Sequence, residues 1–285
     1  MTSPRTLLKI WNLHPKKQFG QNFLSEPSTS KMIISRSNIS PDDIILEIGA
    51  GLGALTIPAA GVAKQVYALD KDHQLIALLK TELLAQNLLN IELMEQDILK
   101  FDFQAFVNKK NINQKLVVMG NLPYNISSQV LVQLIQSRKH VTRAVLMFQK
   151  ELALRIMANP GVKDYGRITA MLKYCSDIKP LATIKAPMFF PKPKVDSEVV
   201  EICFKETPEY PADDEAFLFK VIKAAFGKRR KTLKNALSGS ELAISADTSI
   251  KALEQAEIDP VRRAETLTIR EFVNLSHTLS ANILK

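Results

Sequence analysis

Asn121, Leu122, Pro123 and Tyr124 close an apolar run at residues 117–119 that reads as a strand covered on both faces. An amide, a proline and an aromatic ring make an unusual strand end, and together they suit a planar ligand that carries an amine. Asn121 offers a carbonyl acceptor. Pro123 stiffens the chain and removes a competing N–H, which leaves nearby backbone carbonyls, Leu122 included, free to accept. Tyr124 presents a flat face. An amine conjugated to a ring is a poor nucleophile because its lone pair is delocalised. Two acceptors on its N–H groups favour a more tetrahedral nitrogen. Orientation and exclusion of water then supply most of the rate, and no strong base is needed. A proline-marked turn with Tyr124 packed as core is the plain alternative, so the stretch must be weighed with its surroundings.

The second feature is EIGAGLGALT at 47–56, where a strand candidate feeds a helix start. Glycines there let the backbone turn sharply and approach a ligand closely. The spacing is Gly49-x-Gly51-x-Gly53 rather than the dinucleotide G-x-G-x-x-G, which argues against a nicotinamide cofactor. Asp70 closes the next strand candidate, where a carboxylate can hold ribose hydroxyls. Asp97 ends a third and can accept from an adenine amino group. A nucleoside-type ligand without a phosphate-gripping lysine motif points to S-adenosylmethionine. The lone pair of the amine at Asn121 would then face the sulfonium methyl.

These residues need elements to hold them. IILEI (44–48), QVYAL (65–69), NIELM (90–94), LVVMG (116–120) and RAVLMFQ (143–149) read as strands. Residues 73–86 and 127–137 have the apolar spacing of helices. This alternation predicts a parallel sheet with helices on both faces. Near residue 205 the texture changes. KETPEYPADDE reads as a linker, and FLFKVIKAAF, KTLKNAL, SIKALEQA and REFVNLSHTL follow as helical patterns with no strand between them. The expected class is α/β: a Rossmann-like methyltransferase domain over 1–205, with an N-terminal cofactor-binding segment, and a smaller all-helical domain over 206–285.

The totals are those of an ordinary globular chain of 285 residues, with 46% hydrophobic and 24% charged residues. The net charge of +9 hints at nucleic acid or another polyanion. Cys175 and Cys203 form no metal spacing or disulfide framework, and the four histidines are scattered, so metal catalysis is not expected. No apolar run is long enough to span a membrane, and the N-terminus lacks a signal-peptide pattern. A cytoplasmic protein is expected.

KRRKTLK at 228–234 has five basic residues in seven: Lys228, Arg229, Arg230, Lys231 and Lys234. Phe226 and Leu233 flank and anchor it. Such side chains fix the register of a phosphate backbone without reading sequence. Further basic residues, from Lys163 to Lys194, extend the positive character.

NLPY (121–124), EIGAGLGALT (47–56) and KKQFGQNFL (16–24) together resemble the ribosomal RNA adenine N6-dimethyltransferases. APMFFPKPKVDS (186–197), AFGKRRKTLKNAL (225–237) and DPVRRAETLTIREF (259–272) resemble that family too, in its order and over nearly the whole chain. The nearest branch is the bacterial small-subunit one, the KsgA family. The resemblance implies dimethylation of two adjacent adenosines near the 3′ end of 16S rRNA, with S-adenosylmethionine as donor. It implies 16S rRNA in the small ribosomal subunit or its precursor as partner; a monomer is expected. It also implies that Asn22 and Leu24 contact the cofactor, that Gly49 lies at its methionine end, and that Asp97 lies near its adenine. Asn121 would bind the target amine, Tyr124 would stack on the base, and Phe189 would be the second aromatic of a pocket for an unstacked base. Where the family reads E-L-D or E-I-D, with the glutamate on the ribose, this chain has Ala68-Leu69-Asp70.

Two rival readings fit the sequence less well. The 23S rRNA adenine methyltransferases of macrolide resistance tend to carry N-I-P-Y and to lack the AFGKRRKTL segment. A non-catalytic ribosome-assembly factor would have no use for an intact NLPY and glycine turn.

Overall fold

The computed structural model describes residues 2–283 apart from 85 and 87. The chain divides into two compact units, Met1–Ala153 with Ile178–Phe204, and Leu154–Asp177 with Lys205–Lys285.

The first unit is built on a seven-stranded sheet. After α1 (Pro4–Ile10), β1 (Phe23–Leu24) and α2 (Pro27–Arg36) come β2 (Ile44–Ile48), α3 (Thr56–Ala60), β3 (Gln65–Asp70) and α4 (His73–Leu84). β4 (Ile91–Glu95), α5 (Phe103–Lys109), β5 (Leu116–Asn121), α6 (Ser127–Gln136), β6 (Val141–Gln149) and α7 (Lys150–Met157) follow. After α8 (Arg167–Cys175), β7 (Ser176–Ile184), β8 (Phe189–Phe190) and β9 (Ser197–Phe204) complete the strands. The order is β4-β3-β2-β5-β6-β9-β7. β4, β3, β2, β5 and β6 are mutually parallel. β9 runs antiparallel to β6, which departs from the all-parallel expectation.

Each expected strand forms at or within two residues of its expected position. The reason is visible in burial: Leu116, Val117 and Val118 are fully buried, as a strand covered on both faces requires. One face carries Ile45, Val66, Val117 and Met119 in a core shared with Ile33, Ala59 and Leu79 of α2, α3 and α4. Tyr67 points to the other face, where its ring meets Phe106 of α5 edge-on at 5.0 Å. In α4 the buried Leu75, Leu78, Leu79 and Leu83 recur at helical spacing and form one apolar stripe.

The second unit holds α8 and four later helices: α9 (Glu215–Phe226), α10 (Leu233–Ser238), α11 (Ala246–Gln255) and α12 (Ile269–Ile283). It is helical as expected, but it also takes in residues 154–177, which the sequence reading left in the first domain. The cause is packing. Tyr174 of α8 meets Phe219 of α9 at 5.7 Å, and Tyr165 meets Phe226 at 6.0 Å. Among the described residues no helix is long and apolar enough to cross a membrane, and no His, Cys, Asp and Glu cluster is arranged to hold a metal.

Candidate active site

Because β2, β3, β4 and β5 are parallel, the segments after them gather at one edge of the sheet. β2 lies between β3 and β5, so successive crossovers leave it in opposite directions and open a crevice there. A cavity occupies that crevice. Gly49 and Gly51 line it from the turn after β2, Asp70 from the end of β3, Asp97 from beyond β4, and Asn121 from the end of β5. Asn22 and Leu24 reach it from the N-terminal segment.

The glycine turn is shaped for a ligand. Gly49, Gly51 and Gly53 all have positive φ, a region that side chains avoid. A methyl group placed on Gly51 would meet the Phe23 ring at 3.3 Å. One placed on Gly49 would come nearest Asn121 O, at 3.7 Å, so the turn and the NLPY strand end face each other across a short gap. Asp70 locks this turn: its Oδ2 accepts from Gly51 N at 2.8 Å and its Oδ1 from Asp72 N at 2.9 Å. Burial raises its carboxyl above the ordinary range, with the backbone hydrogen bonds pulling back. In the structure Asp70 holds backbone, whereas the sequence reading gave its carboxylate to ribose hydroxyls.

Asp97 is likewise engaged. Lys71 Nζ lies 2.7 Å from Oδ2, and Leu99 N donates to Oδ1 at 3.0 Å. The hydrogen bond from Lys71 leads in holding its carboxyl below the ordinary range.

Asn121 is oriented. Its Nδ2 donates to the carbonyl of Asn22 at 2.8 Å, which leaves Oδ1 as the end to accept from a ligand. Leu122 is 1% exposed, and its N–H donates to Met147 O at 3.2 Å, so only its backbone can serve a ligand. Pro123 lines the cavity; Leu122, Tyr124 and Phe189 do not. The Tyr124 hydroxyl sits 3.5 Å from Ser197 Oγ. The β1–β8 pair sets Phe189 opposite Leu24, and the residue is 4% exposed within the main core.

Three contributors escaped the sequence reading. Residues 18–21 line the cavity because the chain from Lys16 to Leu24 folds across it. Asp72, 2% exposed, accepts from Lys16 and Gln21 of that segment. Glu47 also lines the cavity and is 2% exposed, its Oε2 buried with no hydrogen-bond partner. Its position before the glycine run was the available signal. Burial pushes its carboxyl up to about 8, with Thr56 pulling the other way and Asp70 adding to the rise. Ala68, opposite Glu47 in the β2–β3 register, is fully buried and brings no polar group.

Cavity and residues fit a nucleoside-bearing cation. The positive-φ glycines Gly49 and Gly51 bring bare backbone to the cavity, and its wall holds a buried Glu47 carboxyl oxygen with no protein partner.

In the second unit, Lys228, Arg229, Arg230 and Lys231 are exposed in the connection between α9 and α10. Leu233 is fully buried, and Phe226 packs on Phe272 at 5.9 Å, so both ends of the basic run are anchored. Arg229 donates to Lys163 O at 2.7 Å. Lys234 is half-buried, and its backbone N–H reaches Pro260 O at 3.3 Å.

The glycine turn, strand order and crevice define a Rossmann-like α/β fold of the methyltransferase type. The structure is similar to a dimethyladenosine transferase from Plasmodium falciparum, with a TM-score of 0.75 and 28% identity over 91% of this chain and 98% of that one. It also shares its fold with the 23S rRNA methyltransferase ErmE, with a TM-score of 0.64 and 22% identity over 90% of this chain and 99% of that one. The ribosomal RNA adenine dimethylase profile matches residues 12–275. A ribosomal RNA small subunit methyltransferase A from Desulforapulum autotrophicum is 52% identical over 98% of this chain and 97% of its own length. A protein of the same name from Desulfotalea psychrophila is 39% identical over 95% of this chain and 94% of its own. The chain belongs to the ribosomal RNA adenine dimethylase family.

Proposed function

We propose that this protein is an S-adenosylmethionine-dependent enzyme that dimethylates N6 of two adjacent adenosines near the 3′ end of 16S rRNA, in the small subunit or its precursor. Family membership and the small-subunit name carried by near full-length relatives support the reaction and the RNA. The observation that carries the chemistry is the Asn121 carboxamide, held by Asn22 at the strand end that faces the glycine turn.

S-adenosylmethionine, when bound, supplies an electrophilic methyl on a sulfonium. The residues that would hold it are Gly49 and Gly51 at the turn, Asp97 near the adenine, and Asn22 and Leu24 from the N-terminal segment, with Asp70 keeping the turn in shape. Asn121 Oδ1 and the backbone carbonyl of Leu122 accept the N–H protons of the adenine amine. They draw its nitrogen toward a tetrahedral form with the lone pair aimed at the crevice. Pro123 keeps these acceptors still, and Tyr124 stacks on the ring. The sulfonium leaving group departs neutral, so proton loss from the alkylated amine can follow to water. After the first transfer one N–H remains for the same acceptors, which permits the second.

Lys228, Arg229, Arg230, Lys231 and Lys234 hold phosphates, and RNA shape with unstacked adenines supplies specificity. The protein acts as a monomer in the cytoplasm. The test is incubation with S-adenosylmethionine and small subunits that lack the modification, followed by mass spectrometry of the 16S 3′ fragment. Dimethyladenosine at two adjacent positions is expected. Modification of 23S rRNA alone, or none, overturns the reading.

A further inference from the structure

The segment that closes the cavity is fastened at three places, and one of them lies away from any reacting atom. At its end, Phe23 and Leu24 pair with Phe190 and Phe189. In its middle, Asn22 O receives Asn121 Nδ2. Gly20 packs so tightly there that a methyl group on it would lie 3.1 Å from Pro123 Cβ. At its start, Asp72 takes Lys16 Nζ on Oδ1 at 2.8 Å and Gln21 Nε2 on Oδ2 at 2.9 Å. Gln21 Oε1 accepts from Lys16 N at 2.7 Å, so the three residues form a closed ring of hydrogen bonds.

We propose that Asp72 is a positioning residue for methyl transfer: by clasping Lys16 and Gln21 it fixes the segment whose Asn22 carbonyl turns Asn121 toward the substrate amine. The inference rests on the reading of Asn121 given above. Gln21 is the neighbour of Asn22, so loss of its anchor releases the peptide that orients Asn121. The same segment walls the cavity, and Asp72 is suited to holding it. Burial pushes its carboxyl up, but hydrogen bonds from Lys16 and Gln21 outweigh that and leave it below the ordinary range, charged at neutral pH. Its other contact, from Gln74 N at 3.2 Å, caps α4.

That second contact dictates the test. Asp72→Asn keeps a capping side chain and removes the charge that holds Lys16. Gln21→Ala leaves the cap untouched and serves if Asp72→Asn fails to fold. Single-turnover methylation of unmodified small subunits at saturating S-adenosylmethionine is measured for each, alone and combined with Asn121→Ala. Hydrogen exchange of residues 16–24 is followed in the same full-length proteins. Each variant is expected to slow transfer by about 10- to 100-fold, the scale of a misplaced reacting group, to speed exchange in the segment, and to have no further effect once residue 121 is alanine. A loss confined to cofactor affinity, an equal loss in the Asn121→Ala background, or unchanged exchange overturns the clasp. Inactive wild-type protein would instead count against the proposed function, and hydrogen exchange would still judge whether Asp72 clasps the segment.

Discussion

Asn121 and Asn22 lie 99 residues apart in sequence and are joined by one hydrogen bond, Nδ2 to backbone carbonyl at 2.8 Å. That bond decides which end of the Asn121 carboxamide is free. An amide has a donor end and an acceptor end, and a target amine with its own N–H groups needs the acceptor. On the proposed function, the N-terminal segment shapes the catalytic geometry as well as walling the cavity.

Asp70→Ala should weaken S-adenosylmethionine binding about 10-fold, the scale of one or two charge-assisted hydrogen bonds to the turn. The loss would come through the Gly51 turn, whose amide Asp70 accepts at 2.8 Å. Calorimetry gives the dissociation constant directly. An unchanged value would remove Asp70 from cofactor binding.

Glu47 should make folding stability fall as pH rises from mildly acid to neutral. Its ordinary value of 4.5 applies to the unfolded chain, and burial raises it to about 8 in the folded one. As pH rises, the unfolded state loses its proton first, so folding stability falls between these two values and then levels off. Glu47→Gln removes the effect. Its stability relative to the parent should climb over that window by at most ~5 kcal/mol, as read from urea melts at pH 5, 7 and 9. A difference independent of pH would show that Glu47 titrates normally.

Tyr124 offers a test of stacking against packing. Its hydroxyl meets Ser197 only at 3.5 Å, so Tyr124→Phe should keep nearly all activity. Tyr124→Ala should lose about 10-fold or more, on the scale of ~1–3 kcal/mol for a base on an aromatic face. Equal losses in the two variants would assign the role to the hydroxyl.

Arg229→Ala with Arg230→Ala should flatten the salt dependence of RNA binding by about one to two in the slope of log affinity against log salt. Filter binding from low to moderate salt measures it. Weaker binding with the same slope would mean that the pair supports the local fold, as the Arg229–Lys163 contact does, without touching phosphate.

Much of the site was legible because its signals are local. A glycine turn and a proline-marked strand end announce themselves in a few residues, and parallel strands bring them together. The burial of Phe189 was not legible because it depends on β1–β8 pairing, a contact between distant segments with two residues on each side. The domain boundary missed residues 154–177 for a related reason: α8 is buried on nearly every side, and only its packing on α9 assigns it. Asp72 was invisible for the same cause, since its partners, Lys16 and Gln21, are more than 50 positions away. Asp70 was placed correctly, but its hydrogen bonds to the turn follow from backbone geometry that composition does not encode.

The most direct test is the transfer rate of Asn121→Ala. With unmodified small subunits and saturating S-adenosylmethionine, single-turnover methylation should fall by at least about 100-fold, the usual cost of losing one preorganised polar group at a reacting centre. Cofactor affinity should stay within a few-fold of the parent. A rate equal to that of the parent would contradict the account of how this site activates an amine.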